Sequence, residues 1–198
     1  MLALIMAGGA GSRLNMGEKP MVTICGRPMI SYVIDAFLLA EFDVVVVLTP
    51  QTPFTRNWCH VQGIDFLTAT GSGYVEDIIE TVLELEESEP LFTSVADIPC
   101  LQAPILHTIL SEYQKSRKEA CSTWVPWYLR GHQGEMGGYE ETVDGVRARA
   151  AGVNILTGAH IGKSQDELRL LIPDSNLAYN INTREDLSAV QRILCGRE

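Results

Sequence analysis

The sequence predicts an α/β protein, a three-layer α/β/α arrangement around a mostly parallel sheet, Rossmann-like in outline. Three observations carry that expectation. Short apolar or β-branched runs alternate with amphipathic segments at helical spacing. Glycine-rich turns directly follow two of the apolar runs. The length of 198 residues, 46 % hydrophobic and 20 % charged, suits one domain with a sizeable core. A single domain over 1–198 is expected, with a loop-rich insertion near 124–150 on the substrate side.

Taken in order, residues 2–6 form a buried strand ended by glycines. Residues 28–40 are helical, with Ile30, Val33, Ile34, Phe37 and Leu38 spaced by three and four. Residues 44–48, four valines and a leucine, read as a central parallel strand. A weaker strand at 64–68 meets Gly71-Ser72-Gly73 and a helix over 74–87. Residues 91–95 are a strand, closed by Ala96-Asp97-Ile98-Pro99, and Pro104 suits the first turn of the helix that follows. Residues 121–128 are compatible with a strand, whereas 131–145 hold five glycines and little periodicity. A strand at 153–156 and a final helix opened by Thr183 and Asp186, a capping-box spacing, complete the chain. Repeated β-α units imply a parallel sheet with helices on both faces.

The formal net charge of −10 opposes nucleic-acid binding, because grip on phosphate backbones comes mainly from Lys and Arg. It equally opposes docking on anionic membranes. Apolar runs such as 44–48 are far below the roughly 20 residues of a membrane span, and the first residues lack the basic region of a signal peptide. Five scattered cysteines (25, 59, 100, 121 and 195) form no Cys-x-x-Cys, so free thiols in a reducing cytoplasm are expected.

The first strand runs into Ala7-Gly8-Gly9-Ala10-Gly11-Ser12-Arg13-Leu14, then Gly17-Glu18-Lys19-Pro20. Glycines in that position let successive backbone N–H groups point at one anion, and Arg13 and Lys19 add cations to its rim. A plain tight turn is the simpler alternative. The dinucleotide fingerprint fails, because Leu14 stands where its last glycine belongs and 30–38 is mainly apolar, with Asp35 its one acidic residue. Gly158-Ala-His-Ile-Gly162-Lys163-Ser164 fails as a P-loop, having three residues between its glycines instead of four, so Lys163 reads as a solvated loop residue.

The form Gly-Gly-x-Gly-x-Arg with a following Lys-Pro resembles the signature of the nucleotidyltransferase family with the nucleotide-diphospho-sugar transferase-like fold. The Lys19-Pro20 order is that of its cofactor guanylyltransferases. Thr70-Gly71-Ser72-Gly73-Tyr74-Val75-Glu76-Asp77, Ala151-Gly152-Val153-Asn154 and Tyr179-Asn180-Ile181-Asn182-Thr183 extend the likeness over nearly the whole chain, toward archaeal GTP:adenosylcobinamide-phosphate guanylyltransferases. The resemblance implies transfer of GMP from GTP to adenosylcobinamide phosphate in cobalamin biosynthesis, with pyrophosphate released. It implies that Ala7, Gly8, Gly9, Gly11, Ser12, Arg13 and Lys19 hold the phosphates. Thr70, Gly71, Ser72 and Gly73 would lie against the guanosine, and Gly152 and Asn180 would border the reacting phosphate. Arg13, Lys19 and Asn180 would then be the catalytic set. In the wider family an Asp placed as Asp97 binds Mg2+ and, through it, the nucleotide, with Asn182 as a neighbouring contact.

Alternatives stay open residue by residue. Asp97 also suits a helix N-cap, and both asparagines suit turn duty before the last helix. Trp124, Trp127 and Tyr128 suit either stacking on a corrin or a core. His60, His107, His132 and His160 fall outside every motif, and no Ser-His or Cys-His arrangement is visible. A molybdenum-cofactor guanylyltransferase is the neighbouring expectation, and a non-catalytic GTP-binding regulator the one from another class. The expected partners are GTP and adenosylcobinamide phosphate, with no nucleic acid and no membrane span, and with a homodimer left open.

Overall fold

The computed structural model describes residues 1–9, 16–130 and 139–196. Its strands are β1 (Leu2–Met6), β2 (Thr23–Ile24), β3 (Arg27–Pro28), β4 (Asp43–Leu48), β5 (Phe66–Thr68), β6 (Pro90–Val95), β7 (Ala120–Pro126), β8 (Glu140–Val143), β9 (Val146–Thr157) and β10 (Glu167–Leu171). Its α-helices are α1 (Met29–Leu39), α2 (Pro53–Gln62), α3 (Tyr74–Glu84), α4 (Ala103–Ser116) and α5 (Arg184–Cys195).

The main sheet runs β10-β7-β9-β6-β1-β4-β5, with β8 beside β9. β1 pairs in parallel with β4 and β6, as do β4 with β5 and β7 with β10. The mostly parallel expectation holds, and so do helices on both faces. Strand side chains alternate between those faces. Ala3, Ile5, Val46, Leu48 and Phe92 join one core, which α1 and α4 cover through Ile30, Val33, Phe37, Leu106 and Ile109. Leu4, Val47 and Leu91 point the other way, toward Ile78 and Val82 of α3. The three most buried β1 residues serve both faces, each large one stabilising by about 1.5–3 kcal/mol.

Several details differ from expectation. β9 is twelve residues long and runs antiparallel to β6, β7 and β8. Asp144 and Gly145 join β8 to β9 with positive φ of 51° and 77°, the twist a two-residue hairpin needs. Much of the expected 124–150 insertion is therefore sheet, while 131–138 lies outside the described residues. α2 and β10 were not expected. The helix is thinly apolar, with Thr55 and Cys59 its buried residues, so periodicity hardly marks it.

Expected free thiols at 25 and 195 are corrected: these cysteines form a disulfide across 170 residues. Cys25 sits in the β2–β3 turn, and Leu187 and Val190 of α5 pack with Ile24 of that hairpin and Met29 at the start of α1. Packing of two elements distant in sequence brings the thiols together, which spacing cannot reveal. Cys59, Cys100 and Cys121 are buried outside this bond. Among the described residues, no helix is long and apolar enough to cross a membrane.

Candidate active site

The parallel strands β1, β4, β5 and β6 all end at one edge, and the loops leaving those ends enclose a cavity of about 320 Å³. This is where open α/β sheets place ligands. Ala7, Gly8, Gly9, Lys19, Gly71, Gly73 and Asp97 line it, so segments from four separate places in the sequence converge. Gly11, Ser12 and Arg13 lie outside the described residues.

Glycine at position 8 has a steric cause. A Cβ there would meet Thr49 Cγ2 at 2.3 Å. Thr49, at the end of β4, donates its hydroxyl to the Gly8 carbonyl at 2.9 Å and accepts from Gln51 N–H at 3.3 Å. It also faces Gly71, whose added Cβ would stand 3.4 Å from Thr49 Cβ. One threonine thus fixes the spacing of both glycine loops. The exit of the first loop is held separately. The Glu18 carboxylate accepts from Phe54 N–H and Thr55 N–H, both at 2.7 Å, and from the Thr55 hydroxyl at 2.6 Å. A carboxylate on the N-terminal N–H groups of α2 is also favoured by the helix dipole. Thr49 and Glu18 were missed in the sequence. Thr52-Pro53 before a helix marks the α2 start, but nothing in sequence announces a cap supplied from 36 residues away.

Lys19 and Asp97 form an ion pair, each side chain only 16 % exposed. The same ammonium donates to Asn182 Oδ1 at 2.8 Å, and Asn182 Nδ2 donates to Asn180 Oδ1 at 2.7 Å. Ile181 N–H donates to the Asp97 carbonyl at 2.9 Å, so the 180–182 segment is pinned to the end of β6. The capping box expected at Thr183 and Asp186 is present and also captures Asn182 N–H on Asp186 Oδ2 at 3.0 Å. Helix capping and site building are one arrangement here.

Asp97 Oδ1 is buried and has no hydrogen-bond partner among the described residues. Leaving such an oxygen unsatisfied costs about 1–3 kcal/mol or more. That orphaned oxygen fits a divalent cation held by one carboxylate and by phosphate oxygens, the usual arrangement for Mg2+. No group of three His, Cys, Asp or Glu side chains suited to a metal exists among the described residues. A cation here would therefore need its substrate's oxygens.

Thr70 and Ser72 border the second glycine loop without lining the cavity. Their hydroxyls lie 2.9 Å apart, and Glu80 accepts from Thr70 N–H at 3.0 Å and from its hydroxyl at 2.8 Å. Asp77 Oδ1 accepts from Gly71 and Ser72 N–H at 3.0 and 3.1 Å. Tyr74, first residue of α3, lines the cavity. Although 43 % of its surface is exposed, burial of its hydroxyl end beside Thr93, near the negative Asp97, pushes the phenol up to about 12. Gly152 stands beside Val95 on the neighbouring strand rather than in the cavity wall. Its φ is +82°, and an added Cβ would meet Val95 Cγ2 at 2.5 Å.

Other expectations divide cleanly. Trp124 is core, packed with Val143 and Ala148, while Trp127 and Tyr128 are exposed. His107 packs on Phe42 and His160 pairs with Glu119 at 3.1 Å; neither lines the cavity, nor does His60, and His132 is outside the described residues. Burial pushes the thiol of Cys59 up to about 11 and that of Cys121 up to about 12, so neither is a thiolate near neutral pH.

Comparison with known proteins bears on this geometry. The family model of the MobA-like NTP transferase domain matches residues 3–161. An adenosylcobinamide-phosphate guanylyltransferase of Methanocaldococcus jannaschii is 28 % identical, over 97 % of this chain and 96 % of that protein. A probable molybdenum cofactor guanylyltransferase of Thermococcus gammatolerans is 24 % identical, over 97 % of this chain and all of that protein. In fold, the chain is similar to a CMP:2-keto-3-deoxy-manno-octonic acid synthetase solved in complex with CTP. That likeness has a TM-score of 0.72 at 12 % identity, covering 100 % of this chain and 98 % of the other.

Proposed function

Because the chain belongs to the MobA-like NTP transferase family, and is thereby a nucleotidyltransferase, we propose that it transfers GMP from GTP to adenosylcobinamide phosphate. The observation that carries the phosphate chemistry is Lys19 bridging Asp97 and Asn182 at the mouth of the Gly8-Gly9 turn. The choice of acceptor rests on the likeness to the Methanocaldococcus jannaschii protein along nearly the full length of both chains.

In this reading the acceptor phosphate attacks the α-phosphorus of GTP in line, forming a new P–O bond as the bond to pyrophosphate breaks. No covalent enzyme intermediate is required. Catalysis is positioning and charge neutralisation. The Gly8 and Gly9 backbone and Lys19 hold the phosphates, and Arg13 joins them from the same loop. Lys19, released from its pair with Asp97 when phosphates arrive, neutralises charge on the departing pyrophosphate. Asn180 and Asn182 set the direction of Lys19. Asp97 would hold Mg2+ with Asn182 beside it, and that ion would supply further charge neutralisation on phosphate oxygens. The Gly71-Ser72-Gly73 loop lies against the nucleoside.

The test is pyrophosphate release in the presence of Mg2+ and GTP, with adenosylcobinamide phosphate or molybdopterin as acceptor. Turnover with the corrinoid supports the proposal. Turnover with molybdopterin alone transfers the assignment to the reading favoured by the 24 % identical relative. Tight GTP binding without turnover on either acceptor supports a GTP-binding regulator instead.

A further inference from the structure

Asp77 stands in the first turn of α3 and is only 7 % exposed. Its Oδ1 takes both loop N–H groups, from Gly71 and Ser72. Its Oδ2 accepts no hydrogen bond among the described residues, and Asp77 lines the cavity that the proposed function assigns to the nucleotide. No cation among the described residues pairs with it. A carboxylate lining an anion site needs an explanation, because it repels phosphate.

Position supplies one. Lys19 and Asp97 face each other as a pair on one side of the cavity mouth. Asp77 instead grips the Gly71-Ser72 loop through its two N–H groups, the loop that the proposed function sets against the nucleoside. A carboxylate at the base end meets hydrogen-bond donors, not anions.

Resting on the proposal that the cavity takes a nucleoside triphosphate with its phosphates at Lys19, we infer that Asp77 Oδ2 reads the base edge and selects guanine. Guanine presents N1–H and N2–H2 on one edge, two donors that an oxygen with two lone pairs can accept. Adenine turns a lone pair at N1 toward the same oxygen and is repelled. Hypoxanthine keeps N1–H but loses the amine, and xanthine replaces that amine by a carbonyl acceptor. The Oδ1 bonds hold the carboxylate still, so loop geometry and base choice share one side chain.

The experiment measures dissociation constants of GTP, ITP, XTP and ATP for the full chain and for Asp77→Asn by calorimetry. In the parent, GTP is expected to bind about tenfold to hundredfold more tightly than ITP, the effect of a hydrogen bond to a charged group. In Asp77→Asn the amide oxygen can keep the loop N–H groups while the amide NH2 faces the base. GTP is then expected to weaken about tenfold to hundredfold and XTP to become the preferred ligand. An unchanged GTP-to-XTP ratio overturns the assignment, as does an equal loss for all four nucleotides, which indicates a ribose contact or a purely structural role. If Asp77→Asn does not fold, a parent GTP-to-ITP ratio near one overturns it alone. A parent protein that binds all four nucleotides alike counts against guanylyl transfer itself. A GTP-selective parent with an indifferent Asp77→Asn counts against Asp77 only.

Discussion

Replacing Gly152 by alanine tests whether the β6 end that carries Asp97 is held at its observed place by close strand packing. Two costs follow from the geometry. At φ +82° an L-residue occupies the left-handed region, at about 1–2 kcal/mol. The new Cβ would also stand 2.5 Å from Cγ2 and 3.3 Å from Cγ1 of Val95, contacts relieved only by shifting a β-branched side chain with little rotamer freedom. Overpacking of this kind costs about 1–3 kcal/mol. The sum, about 2–5 kcal/mol, corresponds to a fall in Tm of roughly 4–20 °C for a chain of this size. Val95 precedes Asp97 by two residues, and a displacement of about 1 Å there is enough to lower turnover by ~10²-fold. Thermal unfolding and pyrophosphate release are the two assays. Val95→Ala in the Gly152→Ala background removes both clashing methyls, so part of the stability should return while the backbone strain stays. A Gly152→Ala protein within about 2 °C of the parent Tm and with parental turnover refutes the reasoning.

Four further outcomes are expected. Asp97→Asn should lower pyrophosphate release by at least about 10²-fold, and added Mg2+ should not restore it, since a neutral amide replaces the orphaned oxygen's charge. Thr49→Val should destabilise by roughly 1–3 kcal/mol through two lost hydrogen bonds, and should raise KM for nucleotide more than it lowers kcat, read by steady-state kinetics. Reduction of the Cys25–Cys195 disulfide should lower the unfolding free energy, read from denaturant titration, by about 5 kcal/mol at most on the chain-entropy account; a Cys25→Ala/Cys195→Ala variant should not respond to reductant. Tyr74 should remain protonated when exposed tyrosines ionise. Its folded-state value near 12 exceeds the unfolded one near 10, so its contribution is complete below pH 10 and is lost as pH rises toward 12; an alkaline absorbance titration with and without denaturant checks this.

The strands and helices with dense periodic apolar residues were legible in the sequence, because burial imposes the period: α1, β4 and α3 fall within a few residues of expectation. So were the glycine loop, Lys19, Asp97 and the Thr183 cap, where residue type and spacing are local. α2 escaped because its apolar stripe is thin, although Pro53 and Gly63 bracket it with proper start and stop signals. The β8–β9 hairpin escaped although Asp144-Gly145 is a strong turn pair, because glycines clustered before it masked the strand pattern. Thr49, Glu18 and the disulfide were illegible for a different reason. Each acts on a partner at least 36 residues distant, and only the packed sheet decides which side chains meet.

The bond from Lys19 to Asn182 spans 163 positions, and it carries a consequence for how the protein is made. At ribosomal speeds of about 5–20 residues per second, roughly 8 to 33 s separate synthesis of the lysine from synthesis of its amide partner. In the latter half of that interval the glycine loop and Asp97 are both present, but the segment that aims the lysine is not. Nucleotide captured by a nascent chain would meet a cation without its guide, so competence for turnover is gained last, with the final helix, rather than growing gradually as the sheet is laid down.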